Sequence, residues 1–173
     1  MMRVARPVAA LLISLAIGVA LIRWSRLQDR WVLTQFASPG GGTAVELAVD
    51  ADGPIRGFVL TSTPRLSVRC AAGGALSYSV TTRLPAAAEP GPERTVRYRF
   101  DESEPVLAAW MESTNRHTLS APADAVPALI DRLSGATRFV LTYIPFNAEP
   151  ASATFSVNGF QRHWTEALAL CGL

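Results

Sequence analysis

The chain predicts an α+β fold, mostly antiparallel β-sheet in a sandwich-like arrangement, with two helices in its C-terminal half packed on the sheet. Three observations carry this. Short segments with period-two alternation recur from residue 44 to 120, separated by glycine, proline and aspartate. A 3.6-residue apolar stripe first emerges near residue 126, and a second occupies the C-terminus. Ahead of all of these stands an uncharged stretch, Pro7 to Ile22, bounded by Arg3 and Arg6 on one side and Arg23 and Arg26 on the other.

That N-terminal stretch reads as an export or anchor helix, residues 1–26. From Val8 to Ile22 it has 15 residues without a charge, the upper end of a signal-peptide core and short of the roughly 18 or more of a clear membrane span. Gly18 and Ala20 have the small side chains that a signal peptidase reads, which supports cleavage. Leu21, Ile22 and Trp24 prolong the apolar character, which supports retention, with Trp24 at the headgroups and Arg23 and Arg26 snorkelling outward. Both alternatives place the rest of the chain beyond the inner membrane, in the periplasm or anchored facing it. With no cysteine near the segment, a lipoprotein anchor is excluded.

Residues 27–43, with Ser38-Pro39-Gly40-Gly41-Gly42, read as a tether. No Gly-Lys-Ser/Thr follows the glycines, so they are no phosphate cradle. The domain then spans 44–173. Strands are predicted at Ala44 to Val49, Gly57 to Ser62, Leu66 to Cys70, Leu76 to Thr82, Thr95 to Phe100, Leu107 to Ser113 and Arg116 to Ser120. Asp52-Gly53-Pro54, Thr63-Pro64, Gly73-Gly74, the Pro85 to Pro92 run and Glu104-Pro105 supply the reversals. In Thr95 to Phe100 the alternation sets Val96, Tyr98 and Phe100 on one face and two arginines on the other. A helix from Asp124 to Leu133 carries the stripe Val126, Leu129, Ile130, Leu133, with Pro127 in its first turn and Gly135 after it. Strands at Arg138 to Ile144 and Ser152 to Val157 follow, then a helix from Phe160 to Leu170 with Asn158 as its cap.

Composition narrows the function. The formal charge is +2, and all 16 basic residues are arginine. A near-neutral domain gives nucleic acid no electrostatic hold. Without lysine there is no P-loop and no Schiff base, so neither a nucleotide nor another cofactor is expected. In an oxidising compartment Cys70 and Cys171 predict a disulfide, each lying on an apolar face. The alternatives are two buried free thiols, or a metal site for which the spacing of two cysteines and two histidines is wrong.

The order of motifs adds a resemblance. Thr63-Pro64-Arg65-Leu66-Ser67-Val68-Arg69-Cys70, Tyr98-Arg99-Phe100-Asp101, Trp110 with Ser113-Thr114, Tyr143-Ile144-Pro145-Phe146, Ala153-Thr154-Phe155 and the terminal Cys171-Gly172 together resemble the VasI/TagO-like family of small exported proteins associated with type VI secretion clusters. The chain departs from that pattern in having Gln28-Asp29-Arg30 where an acidic pair and serine are expected, and Ser113-Thr114-Asn115 in place of Ser-Thr-Asp. The resemblance implies fold, export and disulfide, and brings no catalytic residues.

Trp110 with Ser113, Thr114 and Asn115 is the binding candidate, an aromatic followed by hydrogen-bonding side chains in a turn. The function these features support is an exported envelope protein that binds a protein partner, as an accessory to a secretion apparatus. The alternative is a periplasmic enzyme or enzyme modulator acting on peptidoglycan, with Asp101, Glu102, Glu104 and His117 as acid and base. No serine stands in a Gly-x-Ser-x-Gly context.

Overall fold

The structure is a computed structural model that describes residues 30–37 and 41–173. The proposed export helix lies outside the described residues. Among the described residues, eleven strands and two helices follow in the order β1 (Val32–Ala37), β2 (Thr43–Asp50), β3 (Ile55–Arg56), β4 (Thr61–Ser62), β5 (Arg65–Cys70), β6 (Leu76–Thr81), β7 (Glu93–Phe100), β8 (Val106–Glu112), β9 (Thr118–Ser120), α1 (Val126–Gly135), β10 (Arg138–Tyr143), β11 (Ala151–Ser156) and α2 (Phe160–Cys171). Nine strands form one antiparallel sheet in the order β1-β2-β5-β6-β9-β8-β7-β10-β11, and β3 and β4 form a separate hairpin. The α+β class with two late helices is as the sequence predicts.

The sheet coils until its two ends approach. Beyond β2, the backbone N–H of Asp52 donates to the Thr154 carbonyl on β11 at 2.8 Å, and the Asp52 carboxylate accepts from the Ser156 N–H and hydroxyl. Trp31 Nε1 donates to the Val157 carbonyl at 3.3 Å. Right-handed strand twist accumulated across so many strands brings this about, because a wide antiparallel sheet curls rather than stays flat. The enclosed face is filled by aromatic rings: Tyr78 meets Trp110 and Phe139 edge-on at centroid distances of 5.9 and 5.7 Å, and Phe139 meets Phe155 at 5.9 Å. Such contacts add to the area that the rings bury.

Both helices lie on this core. In α1 the predicted stripe Val126, Leu129, Ile130 and Leu133 is buried, and in α2 Phe160, Trp164 and Ala167 are buried. Asn158 does not cap α2. The N-cap position is Gly159, at φ 81° with no side-chain hydrogen bond, because the chain leaves β11 through a left-handed residue that glycine adopts without steric cost.

Two segments depart from the sequence reading. Of the tether expected at 27–43, residues 27–29 and 38–40 lie outside the described residues, and the part between them holds β1, six residues in unbroken register with β2, and buried Trp31. Trp31 packs on Phe160 at 5.1 Å, so burial of one indole fixes the strand that follows it. Gly57 to Ser62 is not one strand. Only Thr61 and Ser62 pair, with Arg56 and Ile55, and the Gly57 N–H donates to the Leu60 carbonyl at 2.8 Å across a tight reversal. The β-forming character of Phe58, Val59 and Leu60 is overridden by the turn that surrounds them.

Candidate functional site

The structure separates the binding candidate predicted from sequence. Strand alternation along β8 sends Met111 outward and Trp110 inward, and Trp110 is 1% exposed. It is core rather than a recognition anchor. The Ser113-Thr114-Asn115 segment forms the β8–β9 turn, where its polar atoms are used locally. The Ser113 hydroxyl donates to Asn115 Oδ1 at 2.7 Å and accepts from the Thr118 N–H at 3.0 Å, while Asn115 Oδ1 also accepts from the His117 N–H at 3.1 Å. Thr114 is exposed beside them.

The acidic cluster is likewise structural. Asp101 Oδ1 accepts from the Thr137 hydroxyl at 2.7 Å and from the Thr137 and Arg138 N–H groups at 3.0 and 2.9 Å. These bonds, the Thr137 hydroxyl foremost, hold its carboxyl below the usual carboxylate range. Glu102 pairs with Arg138 and with Arg99. Glu104 is exposed on the same turn. His117 sits beyond the other end of the seven-residue β8, roughly 20 Å away at ~3.3 Å per residue, so the structure does not assemble an acid–base set from these groups. Among the described residues no group of three or more His, Cys, Asp or Glu side chains converges as a metal site, and no helix is long and apolar enough to cross a membrane.

Cys70 and Cys171 are bonded, with Cα atoms 6.3 Å apart. The bridge ties the end of β5 to the last turn of α2 and so pins the helix to the sheet.

The feature that sequence reasoning missed is an apolar end. At the tip of the β3–β4 hairpin Phe58, Val59 and Leu60 are 72%, 78% and 63% exposed. Opposite the tip, two loops run side by side: Ala86 bridges Pro145, the Ala87 N–H donates to the Ile144 carbonyl at 2.7 Å, and the Phe146 N–H donates to the Pro85 carbonyl at 2.8 Å. Between tip and loops lies a groove of about 290 Å³ lined by Phe58, Leu60, Leu84, Pro85, Pro145 and Phe146, without a charged group among its walls. Gly57 permits the close approach, since a Cβ there would stand 3.2 Å from Leu84 Cδ1. On its other side Phe58 lines a wider cleft of about 520 Å³ that also holds Arg56 and Glu149.

A buried ion pair holds the loop wall in place. Glu112 accepts from Arg94 Nε at 2.9 Å and from the Ala86 N–H at 3.0 Å, and Arg116 reaches it at 3.5 Å. Arg116 also donates to the Ala86 carbonyl at 2.9 Å. Tyr143 donates to the Leu84 carbonyl at 3.4 Å, and burial pushes its phenol up to about 12. A fully satisfied buried network of this kind makes the loop a fixed surface rather than a mobile one. The signal available in the sequence was the run of large apolar residues between Gly57 and Thr61-Ser62-Thr63-Pro64; a half-buried strand would have hidden at least one of them.

Fold and site together define a single-disulfide α+β domain whose main exposed feature is apolar and carries no convergent set of ionisable groups. One solved structure that shares this fold is the crystal structure of invasion associated protein B from Bartonella henselae. It aligns over 84% of this chain and 97% of its own length with a TM-score of 0.53, at 16% identity. The likeness is one of fold. No family model matches the chain, and no curated protein matches it in sequence.

Proposed function

We propose that this chain is exported across the inner membrane, oxidised beyond it, and acts there as a non-catalytic accessory protein that binds an envelope protein through its apolar end. The single observation that carries this reading is the exposure of Phe58, Val59 and Leu60, consecutive large apolar side chains held out at the tip of a hairpin. Isolated exposed hydrophobes are ordinary; a contiguous patch beside an apolar groove marks an interaction surface. The disulfide supports the oxidising compartment, and a fold shared with a protein whose name records association with invasion is compatible with an outward-facing accessory role. Service to a type VI secretion apparatus is the finer form of this proposal and is motivated by the motif order alone.

The test is site-specific photo-crosslinking in cells of the producing organism. A photoreactive residue at position 59 or 146 is expected to trap the same exported envelope protein. At position 104, by the end of β10 remote from the groove, it is expected to trap none. No adduct common to 59 and 146, or an equal yield at 104, overturns the assignment of this surface.

A further inference from the structure

The sheet has two edges, and they differ in how they are protected. The β11 edge is closed by Asp52, whose backbone and carboxylate bond Thr154 and Ser156. The β1 edge, among the described residues, pairs only with β2. Natural edge strands are guarded by charge, proline, a bulge or a covering element. Val-Leu-Thr-Gln-Phe-Ala has no charge and no proline, and its register with β2 runs unbroken for six pairs. Val32 is 50% exposed and Phe36 is exposed as well.

We propose that β1 is the contact between two copies of this chain, antiparallel across a two-fold axis through Thr34. Val32, Thr34 and Phe36 share one face of the strand. A two-fold axis normal to the sheet keeps each residue on its own face, so the pairing must centre on a residue and not on a peptide bond. Centred on Thr34, it sets Val32 opposite Phe36 of the second copy twice and Thr34 opposite Thr34, which are the aromatic–β-branched and Thr–Thr pairs that stabilise antiparallel sheets. Centred on Gln35, it would set Thr34 against Phe36 and leave Val32 without a partner inside β1, which ends at Ala37. A strand with no charge meets its own copy without repulsion. The nearest ionised groups on that face, Glu46 and Arg69, neutralise each other at 2.5 Å, and Arg69 lies over the Phe36 ring at 5.0 Å. Two six-residue strands bury less than the roughly 1,200 Å² of a stable interface, so the dimer is concentration-dependent.

The experiment uses the full chain in detergent. Wild type is expected to show a monomer–dimer equilibrium in sedimentation, and Thr34→Cys to oxidise to a covalent dimer, the two Cβ atoms standing ~4.5–5.5 Å apart in such a pair. Val59→Cys, exposed at the hairpin tip, is expected to cross-link at least about tenfold more slowly, having no pre-organised neighbour. Thr34→Lys, whose ammonium stands beside its β2 partner Glu46 and is therefore expected to leave the fold intact, is expected to abolish the dimer by setting two ammonium groups opposite each other. Wild type that sediments as a monomer throughout, cross-linking at position 34 no faster than at 59, or a dimer that survives Thr34→Lys would each overturn the proposal.

Discussion

Replacing both Cys70 and Cys171 with alanine lowers the unfolding free energy by about 4–5 kcal/mol in the chain-entropy picture, because the bridge closes a loop with a sequence separation of 101. That is a large share of the roughly 5–15 kcal/mol that holds a domain of this size together. The loss falls first on α2, whose last turn the bond attaches to the buried end of β5. Urea unfolding of wild type, of wild type in reductant and of the double variant measures it. The last two should agree, with midpoints well below the first. A shift under about 1 kcal/mol, smaller than the chain-entropy term by several-fold, would mean that helix packing alone holds α2 in place.

Trp110→Ala is expected to cost about 3–5 kcal/mol, the usual range for a large aromatic removed from a core that cannot collapse around the void. The indole stands edge-on to Tyr78 at 5.9 Å and tilted against Tyr98 at 6.0 Å, so its loss opens the centre of the aromatic cluster. The neighbouring Met111→Ala is expected to stay within about 0.5 kcal/mol, as at an ordinary surface position. Denaturant midpoints for the two variants separate core from surface directly. Equal and small effects would return Trp110 to the role of an exposed anchor.

Much of the fold was legible because its elements obey the periodicities that burial imposes. The α1 stripe is buried as predicted, and in β7 Val96 and Phe100 are buried while Tyr98 packs against that core. The two cysteines meet because each falls on an apolar face. What stayed hidden depends on contacts distant in sequence. Val32 to Ala37 looks like part of a glycine-rich tether until Trp31 docks on Phe160 far along the chain. Asn158 has the chemistry of a cap, but the left-handed turn out of β11 gives that position to Gly159. Trp110 shows the limit of reading a site from composition: Ser113, Thr114 and Asn115 follow it in sequence, yet alternation points the ring away from them. Phe58, Val59 and Leu60 show the converse. Their residue types signal burial, and only the tertiary placement of the hairpin leaves them in solvent beside Pro85 and Phe146.

The proposed function rests on passage through a bilayer before oxidation, and the state of two sulfur atoms in the living cell tests it most directly. Cells of the producing organism are quenched in acid, fractionated, and treated with a mass-adding thiol reagent before and after reduction. The account predicts a chain recovered outside the cytoplasm that takes up no reagent until it is reduced and then takes up two equivalents, one each at Cys70 and Cys171. A chain found in the cytoplasmic fraction with both thiols already reactive would contradict it.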